Sequence, residues 1–278
     1  MRSLSEIMTL QLVSYGTRIR CGVYRPHARF VHAVDFVCGG ALAALVTPDI
    51  GDGPLNIVAQ GLRALTDASV LEVTRTHFIV DGVAHAKRAL RAYSARVSAA
   101  PQSAPVFLRN VRMCADAVHA HAPPQSVPRL LAGTAHTGFT RCLAAQMRRG
   151  IRQLQRGEFA AGTHTLKGLG YGLTPSGDDF LAGFLLGCRV LETMRGLDLA
   201  ARRRTILRHA LGANPLSNAF LRCAHAGWPS ARMSALLCAL AQPGGADVPA
   251  STKRVLAVGA TSGADTASGF LTALRSVT

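Results

Sequence analysis

The sequence predicts an α+β fold, a β-rich N-terminal antiparallel sheet or small barrel followed by an all-helical C-terminal part. Three observations lead there. Through the first hundred residues, short β-branched and aromatic runs alternate with Gly, Pro and Asp-Gly punctuation. From Lys87 onward the apolar residues recur at spacings of three or four instead. The chain has 278 residues, 49% of them hydrophobic, with mean hydropathy +0.21. That is enough to bury a substantial core, which excludes a disordered chain and a small disulfide-stapled scaffold.

Strands are expected over residues 18–24, 29–37, 41–46, 55–58, 71–74 and 77–80. Asp81-Gly82 then supplies two residues tolerant of positive φ, a hairpin signal before Val83. The Ala- and Ser-rich stretch 94–105, with Pro101 and Pro105, reads as a linker. It sets the expected domains at residues 1–95, β-rich, and 96–278, helical. Phe107, Val111, Cys114 and Val118 mark the first helical face. Further helices are expected over 138–156, 176–194, 199–211, 216–226, 230–241 and 263–275, with Pro- and Gly-rich loops at 122–128 and 242–249.

Charge is the unbalanced quantity: Lys+Arg 31 against Asp+Glu 15 gives +16. Only Lys87, Lys167 and Lys253 are lysines, so the excess is arginine and has the look of GC-rich codon bias. Arg148, Arg152 and Arg156 fall on one helical stripe, Arg204 and Arg208 on another, with Arg149 and the Arg202-Arg203 pair alongside. No zinc-finger, RNP or basic-zipper pattern accompanies them and aromatic residues are 5% of the chain, so a solvated face or an acidic partner subunit is preferred to nucleic acid. The longest apolar run, 180–188, stops at Arg189, far short of the roughly 18 residues of a membrane span. Glu6 interrupts the stretch 1–16 where an export signal would need an unbroken apolar core. Seven scattered cysteines without a Cys-x-x-Cys pair read as buried thiols, and the expected location is the cytoplasm. The ten histidines form no zinc pattern and read as ordinary core or surface residues; His164, near the glycine loop, is the one to test for acid–base work. No motif calls for a cofactor or a resident metal.

The most unusual segment runs from Lys167 to Gly187. Gly168, Gly170 and Gly172 alternate into a helix start at which Thr174 or Ser176 can cap and Pro175 suits the first turn. A junction of this kind presents backbone N–H groups and a partial positive charge, and its natural guest is a phosphate or carboxylate. Asp178 and Asp179 then have two readings, first-turn acids that favour the helix dipole, or a divalent-metal ligand or general base beside the bound anion.

An internal repeat bears on that choice. Residues 176–185, SGDDFLAGFL, align without gaps to 262–271, SGADTASGFL, with Ser, Gly, Asp, Gly, Phe and Leu at identical offsets. A cap has no use for a second Gly seven residues after Ser, so Gly183 and Gly269 predict two helices crossing closely. Ser176/Asp179 and Ser262/Asp265 would then form a paired site at two helix N-termini.

Gly172-Leu-Thr-Pro-Ser-Gly-Asp-Asp-Phe-Leu-Ala-Gly183 resembles the signature of the AllH-like proteins, and Thr261-Ser-Gly-Ala-Asp-Thr266 resembles that family's second motif. Asn214-Pro-Leu-Ser-Asn218 sits where relatives carry a short Thr/Ser-rich stretch before a helix, and the resemblance is expected over most of the chain. It implies the oxamate carbamoyltransferase system, in which AllH acts with two other kinds of subunit to move a carbamoyl group between oxalurate and carbamoyl phosphate during allantoin degradation. The chain is therefore expected to act as a transferase subunit with partner protein subunits and a small anionic substrate. Asp178, Asp179 and Asp265 are the catalytic candidates. Lys167, Gly170, Gly172, Thr174, Ser176, Gly177, Ser217, Asn218, Thr261, Ser262 and Gly263 are the substrate- or anion-binding ones. A non-catalytic structural or ligand-binding subunit is the second reading, and a Mg²⁺-dependent hydrolase using the three aspartates the third.

Overall fold

The computed structural model describes residues 9–98, 103–133 and 137–276. The expected linker at 94–105 lies partly outside these, as does the first half of the stretch read for an export signal. The chain divides into two compact units, residues 1–95 and 96–278.

The first unit is a nine-stranded sheet of β1 (Gln11–Gly16), β2 (Gly22–Arg29), β3 (Ala33–Cys38), β4 (Ala41–Val46), β5 (Asn56–Gln60), β6 (Leu71–Val73), β7 (His77–Val80), β8 (Val83–Ala86) and β9 (Arg91–Tyr93). Its order is β8-β7-β6-β2-β3-β4-β5-β1-β9. Pairing is antiparallel except for β4 with β5 and β1 with β9, so the sheet is mixed at one side. Two edge-ward strands carry no apolar alternation, and the sequence reading passes over both. In β1 the buried face includes Ser14, whose hydroxyl donates to Asp52 at 2.6 Å. The three residues of β9 (Arg91–Tyr93) are exposed or half-buried and pair in parallel with β1, so the strand is too short to leave an apolar alternation. Asp81, at φ 49°, makes the turn between β7 and β8 that Asp-Gly predicts, and its carboxylate accepts from the Val70 amide and the Ser69 hydroxyl.

The second unit comprises α1 (Ala104–His121), α2 (Val127–Ala132), α3 (Gly138–Gln155), α4 (Phe159–Leu166), α5 (Ser176–Arg195), α6 (Ala200–Ala210), α7 (Pro215–Ala226), α8 (Ala231–Ala241), α9 (Val248–Leu256) and α10 (Ser262–Arg275). Phe107, Val111, Cys114 and Val118 are buried on α1 as their period requires. Three helices lie where the sequence showed none or showed loops. Pro128 and Pro249 stand in the first turns of α2 and α9, where a missing N–H costs nothing, and so start helices instead of breaking them. The third, α4, is only eight residues long and contains Gly162 and two threonines.

α5 is buried on nearly every side from Ser176 to Leu191 and forms the axis of the unit, with α10 laid along it. At their crossing a Cβ on Gly183 would collide with the Thr266 carbonyl, and one on Gly269 with the Phe180 carbonyl. Each clash is the other shifted by the same 86 residues, so the two helices are related by a local two-fold axis, and at both positions only glycine permits the approach.

One cysteine expectation is corrected: Cys114, Cys188 and Cys223 are buried, but Cys38 is half-buried and Cys21, Cys142 and Cys238 are exposed. A thiol is small enough to sit at a helix or loop surface at little cost, so residue type alone does not settle its burial.

Candidate functional site

The duplication is longer than the ungapped sequence match. At the end of α4 the Leu169 amide donates to the Leu166 carbonyl (3.0 Å), and the Leu169 carbonyl accepts from the Gly177 amide (2.8 Å). At the end of α9 the Val258 amide donates to Val255 (3.1 Å), and the Val258 carbonyl accepts from Gly263 (3.0 Å). A Cβ on Gly177 would strike the Leu166 carbonyl, and one on Gly263 the Val255 carbonyl. Thus α4–loop–α5 and α9–loop–α10 are two copies of one device. The first loop is the longer, with seven residues (170–176) between the bonded partners against four (259–262) in the second, and this three-residue difference hides the upstream part from an ungapped comparison.

The two loops meet. Thr174 Oγ1 and Ser262 Oγ lie 3.0 Å apart, although 88 residues separate them. Each serine acts on the aspartate of the other copy, Ser262 on Asp179 and Ser176 on Asp265. Asp265 Oδ1 also accepts from the Val127 amide at 2.6 Å, which fixes the carboxyl against the start of α2. Asp179 and Asp265 are both buried, and each keeps its Oδ2 without a hydrogen-bond partner. Burial pushes the Asp179 carboxyl well above the usual carboxylate range. The Ser262 and Thr174 hydroxyls pull against that rise, and the negative charge of Asp265 and Asp178 adds to it. Burial pushes Asp265 up to about 6, opposed by the Val127 amide and the Ser176 and Thr261 hydroxyls. The centre of the arrangement is therefore a pair of desolvated acids, ringed by four hydroxyls from two loops.

Other candidates are placed differently. Asp178, which has Ala264 as its counterpart in the repeat, accepts from the Gly168 amide at 2.8 Å and closes the glycine loop on itself. Lys167 turns away from the loop and donates to the Leu211 carbonyl at the end of α6, a cation on a helix C-terminus. The backbone of the α5 start is largely occupied, because the Asp178 and Asp179 amides donate to the Pro175 carbonyl and the Gly177 amide to Leu169. Of the amides from Gly170 to Gly177, that of Gly177 is thus used in closing the loop. Gly170 and Gly172 hold φ values of 120° and 84° that shape this loop, and Tyr171 beside them packs at a tilt against Phe139 with ring centroids 5.3 Å apart.

α7 packs against α5. Asn218 brackets Gly212, accepting from its amide and donating to its carbonyl, and Ser217 buries a hydroxyl that has no partner. Asn214, which the sequence marks only as part of the 214–218 segment, caps α7 through the Leu216 and Ser217 amides and donates to the Leu173 carbonyl at 2.6 Å. Asn-Pro before an apolar run is its signal, a cap followed by a first-turn proline. His164 is exposed on α4 and sits 3.0 Å from His209, away from the groups that act on the two acids. Among the described residues no three His, Cys, Asp or Glu side chains gather as metal ligands.

The segment from Leu166 to Leu274 holds both copies of the device, and it is this segment that matches a known family. Residues 166–274 match the model of the AllH family. The family is described as oxamate carbamoyltransferase subunit AllH. The AllH match begins at the last residue of α4 and ends within α10, a narrower span than the resemblance led us to expect, and it covers neither the sheet nor α1 to α3. No curated protein and no solved structure matches the chain.

Proposed function

We propose that the chain is the AllH-like subunit of an oxamate carbamoyltransferase-type complex and binds a small carbamoyl or carboxylate compound where the two Ser-Gly loops meet. The observation that supports this most is the reciprocal pairing of Ser176 with Asp265 and Ser262 with Asp179, inside the segment that is AllH-like. Asp179, whose carboxyl burial holds well above the usual carboxylate range, is the hydrogen-bond donor to a carbonyl or carboxylate oxygen of the ligand. Asp265, pushed up to about 6, exchanges its proton near neutral pH and serves as the base of the pair. Thr174, Ser176, Thr261 and Ser262 supply hydroxyls that orient the ligand. In this reading the backbone amides shape the site and the side chains bind in it. Gly170, Gly172, Gly177 and Gly263 act through loop geometry, Ser217 and Asn218 through α7, and Lys167 and Asp178 as supports of the loop.

A non-catalytic, ligand-binding subunit is the second reading, favoured by the occupied amides of the α5 start. The deciding experiment is a carbamoyl-transfer assay with and without the partner subunits, repeated for Asp179→Asn and Ser176→Ala. Loss of rate with retained assembly supports the catalytic reading. Unchanged rate and unchanged substrate binding in both variants would remove the site assignment.

A further inference from the structure

The arginines at residues 148–156, in the last turns of α3 and at its C-cap, divide into two groups that the stripe pattern of the sequence does not separate. Arg148 turns to the end of α2 and donates to the carbonyls of Leu130, Leu131 and Gly133, a structural task. Arg202 and Arg203 are likewise employed, one over the Phe159 ring at 4.6 Å and the other on Glu192 at 2.9 Å. Among the described residues Arg149, Arg152 and Arg156 have no such role. All three are exposed, and among the described residues no carboxylate pairs with any of their guanidinium groups.

These three line one groove of about 250 Å³ with Ala145, Gln153 and Glu158. Its floor is rigid, because α3 buries Leu143, Met147, Ile151 and Leu154 on its other side, and Gly150 lies against Leu166 and Gly162 of α4. Gln153 Oε1 accepts from the Thr165 hydroxyl at 2.7 Å, which leaves the amide nitrogen as the free donor. Three guanidinium groups less the Glu158 carboxylate leave +2, and the negative end of α3 subtracts only about half a charge more. Like charges three and four residues apart on a helix repel. Among the described residues Glu158 and the end of α3 offset that repulsion only in part, and a bound oxyanion would offset the rest.

We propose that this groove is a binding site for a small molecule carrying a phosphate or diphosphate group. Planar arginine forks match phosphate oxygens two at a time. The volume accommodates such a group and is below that of an ordinary apolar ligand pocket. The ligand is held by residues other than those of the Ser-Gly loops, so the site stands or falls independently of the function proposed above.

Titration calorimetry of the full chain with inorganic diphosphate, at low and at physiological salt, tests this. Binding is expected to weaken by about tenfold or more in Arg152→Gln. It should weaken less in Arg152→Lys, which keeps the charge and loses the fork, and stay unchanged in Asp179→Asn. ADP in a parallel titration separates the sources, since tighter binding than diphosphate marks a nucleotide and weaker binding a free phosphate compound. The exposed arginines leave the fold intact on substitution, to be checked by circular dichroism. Absence of binding at millimolar diphosphate, equal binding of sulfate, or undiminished binding in Arg152→Gln would each overturn the proposal.

Discussion

At the residue scale the two buried acids carry a pH signature. Asp265 moves from an ordinary value of 3.8 to about 6 on folding. The folded state therefore holds the extra proton between those values, and stability falls as pH rises from about 4 to 6 and then levels off. The shift corresponds to a contribution on the order of 3 kcal/mol, because each pKa unit is worth about 1.4 kcal/mol and the side chain is fully buried. Asp265→Asn cannot ionise, yet its amide oxygen still accepts from Val127. Urea midpoints measured across this range should therefore fall less steeply with pH in the variant than in the unsubstituted chain, and parallel curves would contradict the assignment. Asp35 on β3, pushed up to about 6 by burial, adds a similar slope that Asp265→Asn leaves in place. Asn214→Ala removes an N-cap and is expected to cost about 1 kcal/mol in the same assay. Its tie to Leu173 also predicts faster amide exchange in the glycine loop. Of these residues Asp179 and Asp265 were legible in the sequence because the repeat singled them out. The fate of Lys167 was not, because a lysine before a glycine loop looks the same whether it meets a ligand or a carbonyl.

At the element scale the α5–α10 crossing is the part most exposed to test. Gly183→Ala and Gly269→Ala each push a methyl into a backbone carbonyl of the opposite helix. Overpacking of a side chain costs roughly 1–3 kcal/mol, and backbone gives way less, so each substitution is expected to destabilise by at least about 2 kcal/mol. Gly172→Ala meets nothing within 4 Å and suffers only the strain of φ 84°, about 1–2 kcal/mol. Thermal unfolding should place both crossing variants below Gly172→Ala, and a Gly183→Ala protein as stable as the unsubstituted chain would disprove the close crossing. The glycines of the repeat announced this contact in the sequence. The loops beside them were harder to read, since α2 and α9 start with prolines that the sequence presents equally well as breakers, and α4 has no apolar period long enough to register.

At the scale of the whole molecule the charge decides behaviour. Against +16 the described residues show few ion pairs, and Glu192 alone takes part in two of them, with Arg189 and Arg203. Self-repulsion among solvated arginines is screened by salt, with a Debye length near 10 Å at 0.1 M. Raising sodium chloride from about 10 mM to 0.1 M should therefore raise the melting temperature, and calorimetry showing a fall would mean that paired charges dominate instead. The change of period near Lys87 determined the α+β class by itself, because strand and helix periods are local properties of side-chain spacing. The repeat at 176–185 and 262–271 determined which residues to compare. Which of them touch, which amides remain open, and which arginines are already employed were decided only by the tertiary structure. Thr174 and Ser262 are 88 residues apart and become partners only when two glycine-lined helices cross, and no local pattern encodes the distance between elements that the packing of the core brings together.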